Sequence, residues 1–325
     1  MHQLNKDFIN GNPDYDSLRL AFGRGLVDVA KNDPRVVALS ADLASSVGFG
    51  EFYDTLPERF IEVGVAEQNL VTVASGMAYM GKIPFAASYA VFSPGRNWEQ
   101  IRTTICLNDQ PVKLVGTHAG VNVGADGATH QALEDIALMR VLPNIVVLSP
   151  GDAIEAEKMA ALMAKDSRPN YIRLPRTSLA TFNRSNQNFE IGKAYVVCPD
   201  NEAIITIFST GSMTATALEV ARELASLDIG VSVVHVPTIK PLDKKTILTE
   251  ANKTSIVVTV EEHQLNGGFG SAILELLADS NAMPSIVKRI GIDDQFGQSG
   301  TAEELLSHYR LDKDGILSQI AELVN

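Results

Sequence analysis

Six short apolar runs, alternating with stretches of helical periodicity, restrict the fold more than any other feature of the chain. They read "VVALSAD" (36–42), "FIEVG" (60–64), "IPFAASY" (83–89), "VKLVGTH" (112–118), "IVVLSP" (145–150) and "NYIRL" (170–174). Strands apolar on both faces need cover on both sides. Helices expected near 15–31, 66–80, 96–107, 130–141 and 152–165 supply it. Such strands linked by crossover helices make a parallel sheet with helices on both faces.

A polar, irregular stretch, "RTSLATFNRSNQNFEIGKA" (176–194), interrupts the pattern and reads as a linker. A second series follows, with strands "AIITIFST" (203–210), "GVSVVHVP" (230–237), "SIVVTVEEH" (255–263) and "SIVKRIG" (285–291). Its helices are expected near 213–227, 244–251, 268–279 and 301–308. The 325 residues also exceed one typical core. The expected fold class is therefore α/β, with two doubly wound, mostly parallel-sheet domains: 1–178, a linker at 179–193, and 194–325.

Bulk composition removes several classes of function. A net charge of -12 disfavours nucleic acid as a partner. No apolar run approaches the roughly 20 residues of a membrane helix, and "MHQLNKDFINGNPDYDS" has no signal-like apolar region. Cys106 and Cys198 are far apart and match no metal spacing, as expected of reduced thiols in a cytoplasmic protein. There is no Walker loop and no G-x-G-x-x-G between strand and helix. "GGFG" (267–270) reads as tight packing or an anion site at a helix start.

Open parallel sheets bind ligands beyond the carboxyl ends of their strands, and the candidate residues cluster there. In "EVGVAEQNLVTVASGMAYMG" (62–81), Glu67 falls on the apolar stripe with Leu70, Val71 and Ala74. An acid in a first helical turn is favoured by the helix dipole, but a buried one needs a proton or a dedicated partner. It is therefore a candidate for proton chemistry. "GTHAGVNVGADGATHQ" (116–131) places His118, Asp126 and His130 in a glycine-rich loop, with Thr129 positioned to cap the next helix. A metal triad lacks a tight His pair there, so a polyhydroxylated or phosphorylated substrate is the better match. "SYAVFSPGRNWEQIR" (88–102) offers Tyr89 and Phe92 to stack a flat ring. Arg19 and Arg176 become phosphate clamps only if they converge.

At these residues the chain resembles the carboxyl half of a transketolase, from about residue 15 onward. Transketolases use thiamine diphosphate. The stretch "IEVGVAEQN" resembles the one that holds the family's cofactor-activating glutamate, which implies that role for Glu67. Tyr89 and Phe92 match the pyrimidine-stacking aromatics. "THAGVNVGADGATHQ" resembles the sugar-contacting loop and implies that His118 and His130 assist proton transfer while Asp126 reads a hydroxyl. "SADLASS" (40–46) is similar to a family segment, placing Asp42 near the cofactor and Ser46 near the substrate phosphate. Arg19 and Arg176 fall on its phosphate-contacting arginines, with His130 beside them. "STGS" (209–212), "VEEH" (260–263) and "DDQFGQSG" (293–300) resemble the family's mainly structural C-terminal domain, which lies at a dimer interface.

The family's diphosphate motif, a Gly-Asp-Gly followed 25–30 residues on by an Asn, has no counterpart. The resemblance thus implies the C-terminal subunit of a split, two-chain transketolase. The N-terminal partner subunit would bind the diphosphate through magnesium or calcium, with no metal held by this chain. The assembly would be a heterotetramer, self-associating through C-terminal halves and moving a two-carbon glycolaldehyde unit between sugar phosphates in cytoplasmic carbohydrate metabolism, as in the pentose phosphate pathway. The alternatives are a beta-type subunit of a 2-oxoacid dehydrogenase, a deoxyxylulose phosphate synthase-like chain, or a non-catalytic paralogue.

Overall fold

The computed structural model describes residues 2–324. Strands are numbered along the chain. A seven-stranded sheet contains β2 (Val36–Ser40), β3 (Phe60–Glu62), β4 (Ile83–Tyr89), β5 (Lys113–Thr117), β6 (Val146–Leu148), β7 (Asn170–Leu174) and β12 (Thr238–Lys240), in the order β12-β6-β7-β5-β4-β2-β3. All its pairings are parallel except β12 with β6. Every residue of β2, β5 and β7 is buried, as strands covered on both faces require. One face is covered by the helices Leu18–Asn32 and Ala153–Lys165. These approach so closely that a Cβ on Gly25 would lie 2.2 Å from the Glu157 carbonyl oxygen. The other face is covered by Glu67–Tyr79 and by a short helix at Trp98–Gln100 that runs into a π-turn at Ile101–Cys106.

The second sheet has the order β14 (Ile286–Ile292), β13 (Ile256–Gln264), β10 (Ile205–Ser209), β11 (Val231–His235) and β9 (Tyr195–Cys198). It is parallel except for β9, which pairs antiparallel with β11. Its main helices are Met213–Ser226, Lys244–Ala251, Phe269–Asp279, Ala302–His308 and Lys313–Ala321. The α/β class and the mostly parallel sheets agree with the sequence reading.

Four details differ from it. β12 belongs to the second series in sequence but extends the first sheet. The segment read as an irregular linker contains β8 (Ser178–Ala180), which pairs with β1 (Tyr15–Ser17). Its Phe182 and Asn183 amides are held by the buried Asp152 carboxylate, at 3.0 and 2.7 Å. The helix expected at 130–141 spans only Asp135–Arg140. Glu134 takes the N-cap position, and the Thr129 hydroxyl bonds His130 Nδ1 instead (2.9 Å). At "GGFG", the helix N-terminus is satisfied internally: Glu261 accepts the Phe269 and Gly270 amides at 2.6 and 2.7 Å.

No helix among the described residues is long and apolar enough to cross a membrane. Cys106 is buried and Cys198 half-buried, both as free thiols.

Candidate active site

Glu67 is the first residue of the helix that follows β3, and its side chain is 4% exposed. It shares the buried face with Leu70, Val71, Ala74 and Ala78, as the stripe predicts. Arg96 meets both carboxylate oxygens at 3.2 and 3.1 Å while lying 4.1 Å over the Phe92 ring. The buried Asn97 amide donates to the Glu67 carbonyl at 2.9 Å. The stripe pointed to a partner for Glu67, but nothing in the sequence paired it with Arg96.

Beside this pair lies a ring cluster at the exits of β4 and β5. Tyr89 stacks on Phe92, with centroids 5.9 Å apart and planes 16° apart, and on His118 at 3.8 Å. His130 meets Tyr89 and Phe92 edge-on at 6.3 and 5.5 Å. The His118 backbone has a φ of 58°, in the left-handed region, and its Nδ1 shares a hydrogen bond with Thr117 Oγ1 at 3.0 Å. Burial, reinforced by the charges of Arg19, Arg176 and His130, pushes the His118 imidazole down to about 3. It is therefore neutral at physiological pH.

Arg19 and Arg176 converge. Both line a cavity of about 720 Å³ with Asn122, Thr177, Ser299 and Thr301, and no acidic side chain lines it. Burial is the first cause that lowers Arg19, and the Arg176 charge adds to it while Tyr89 opposes. Arg19 Nη1 donates to the Ser46 carbonyl at 2.9 Å, whereas its buried Nε has no partner among the described residues. Two guanidiniums lining one cavity with no acidic side chain can hold an anion.

Two expected residues are exposed rather than buried with the ring cluster. Asp126 is exposed at the end of the 3-10 turn Val121–Asp126. Asp42 is exposed beyond β2 with a φ of 63°, and its amide donates to Glu62 at 2.7 Å. Among the described residues no three His, Cys, Asp or Glu side chains are grouped to hold a metal ion. A larger cleft of about 910 Å³, lined by Lys113, Arg35 and Lys158, opens elsewhere and holds none of these residues.

Sequence reasoning also missed Asn122, Gln131 and Glu262. Gln131 Nε2 donates to the Gln298 carbonyl at 2.9 Å, tying the 116–131 loop to the second domain. Their roles depend on contacts across the domain boundary, which no local spacing reveals.

The family model of the transketolase pyrimidine-binding domain matches residues 16–181, and that of the transketolase C-terminal domain matches 192–316. A Methanocaldococcus jannaschii chain named for a transketolase C-terminal section is 40% identical over 310 residues, covering 95% of this chain and 96% of that one. A 1-deoxy-D-xylulose-5-phosphate synthase of Halothermothrix orenii is 36% identical over 94% of this chain, which spans 48% of that enzyme. Among solved structures, a split-gene transketolase described as an inactive beta4 tetramer superimposes with a TM-score of 0.86 at 40% identity, covering 94% of this chain and 97% of that one. The chain therefore belongs to the transketolase family and carries, in one polypeptide, its pyrimidine-binding and C-terminal domains.

Proposed function

We propose that the chain is the C-terminal subunit of a two-chain, thiamine-diphosphate-dependent transketolase that passes a glycolaldehyde unit from a ketose phosphate to an aldose phosphate. The observation that carries this reading is the Glu67 carboxylate, buried on an apolar helix beside the near-parallel Tyr89 and Phe92 rings. That donor set suits an aminopyrimidine: an acid for a ring nitrogen and a flat apolar face. The near-complete overlap with a chain named for a transketolase C-terminal section and with a split-gene transketolase supports a partner subunit for the diphosphate and its magnesium or calcium.

When bound, thiamine diphosphate would supply a nucleophilic carbon for the ketol-transfer chemistry. Glu67 holds and returns a proton at the pyrimidine nitrogen, a relay that needs water kept from the shared hydrogen bond. Arg96 gives up its ion pair to admit the ring, which its half-exposed side chain allows. Tyr89 and Phe92 orient the ring, with Asp42 at the cofactor's edge. Neutral His118, its Nδ1 engaged by Thr117, presents Nε2 to the sugar oxygens, and His130 faces them across the ring cluster. Asp126 reads the hydroxyl next to the carbonyl. Arg19, Ser46, His130 and Arg176 hold the phosphate.

Glu67→Gln tests the reading. An amide cannot relay the proton, and loss of such a group costs ~10²–10⁴-fold in rate. The variant should still assemble and bind cofactor but lose ketol transfer by at least about a hundred-fold. A near-wild-type rate would sink the cofactor-activation role. A deoxyxylulose phosphate synthase-like activity is the second reading, favoured by the 36% identity over nearly the whole chain. Turnover with a 2-oxoacid donor, and none with a ketose phosphate, would select it.

A further inference from the structure

Glu262 and Ser212 lie in the second-domain segments "VEEH" and "STGS", to which the proposed reaction gives no part. Yet the Glu262 carboxylate, 2% exposed, reaches across to the substrate loop. Oε1 accepts the Asn122 backbone N–H at 2.8 Å and its Nδ2–H at 2.9 Å. Oε2 accepts Asn122 Nδ2–H at 2.9 Å and the Ser212 hydroxyl at 2.6 Å. Gly120 makes room: a Cβ there would lie 2.2 Å from Glu262 Oε1. A carboxylate only accepts, so the amide nitrogen of Asn122 must face it. Asn122 Oδ1 is then turned to the backbone N–H groups of Arg176 and Thr177, at 3.0 and 3.4 Å.

We propose that Glu262 is a positioning residue for anion recognition. It fixes the Asn122 amide, and through it the backbone from which Arg176 enters the cavity shared with Arg19. The second domain thereby sets affinity for the phosphorylated end of the sugar. This rests on the transketolase reading of the site.

Glu262→Gln turns an NH₂ group toward donors, and Asn122→Asp sets two carboxylates face to face. In the assembled enzyme each variant should raise the KM for a phosphorylated acceptor about ten-fold, the loss of roughly one charge-assisted hydrogen bond. For Glu262→Gln, which lines no part of the cavity, turnover at saturation and the KM of a non-phosphorylated acceptor should hold. The exchanged pair E262Q/N122D faces a donor with an acceptor again and should return the KM toward wild type. Hydrogen–deuterium exchange on the purified chain reads the clamp without turnover. The Arg176 and Thr177 amides should exchange faster in each single variant and recover in the exchanged pair, with β10 and β11 unchanged. If Glu262→Gln does not fold, Asn122→Ala carries the same expectation for amide exchange and for the KM of the phosphorylated acceptor. Unchanged exchange and KM would overturn the proposal, as would a lower turnover at constant KM or an exchanged pair that fails to recover. If the wild-type assembly moves no ketol unit between any sugars, the transketolase reading falls, and amide exchange still decides the clamp.

Discussion

Glu67 shows what burial demands of a single carboxylate, and His118 what it does to a single imidazole. A carboxylate at the head of an apolar helix persists only with a fixed partner, and that requirement was legible from the stripe it shares with Leu70 and Val71. The identity of the partner, Arg96, was not, because the pair closes between segments 29 residues apart. His118 is held neutral, down to about 3 against an ordinary value of about 6.5. The unfolded chain therefore takes up the proton first as pH falls, and this contribution to stability is lost between about pH 6.5 and 3. Thermal unfolding of His118→Gln should accordingly depend on pH less steeply than wild type, by up to about one proton in that window. Identical slopes would show that His118 is not held neutral. For the anion cavity, Arg19→Ala and Arg176→Ala should each raise the KM for phosphorylated sugars about ten- to a hundred-fold, equivalent to roughly 1.5–3 kcal/mol. Steady-state kinetics on non-phosphorylated acceptors should show little change; equal losses for both substrate types would exclude phosphate reading.

Among the elements, the strands buried on both faces were the most legible, because an unbroken apolar run has few other solutions. β1, β8, β9 and β12 were not, since short edge strands are defined by their partners rather than by their own pattern. The loop between β5 and the helix Asp135–Arg140 shows a further limit. Its glycines read as turns, yet Gly120, with φ 89° and ψ -174°, does two things at once. It adopts a backbone conformation closed to other residues and leaves space for Glu262. Gly120→Ala should destabilise the chain by about 1–3 kcal/mol, measured by urea denaturation. A change below about 0.5 kcal/mol, the ordinary range for surface substitutions, would mean that the loop is not held against the second domain.

At the scale of the whole molecule, the two sheets share a core. One apolar cluster joins Leu70, Leu114 and Val147 to Phe208, Val234 and Ile239, and β12 completes the first sheet from the second series. Calorimetry of the chain should therefore show one unfolding transition; two well-separated transitions would mean independently stable domains. The two-domain pattern was legible in the alternation of strands and helices, whereas this sharing was not, because it is set by tertiary packing. The central claim is that this chain supplies only the pyrimidine half of a thiamine site. The most direct test is ketol transfer and calorimetric titration of thiamine diphosphate with magnesium, on the purified chain and on its mixture with the N-terminal subunit. Tight binding and turnover are expected only in the mixture, in a complex with two copies of each chain; full affinity and activity from this chain alone would contradict the claim.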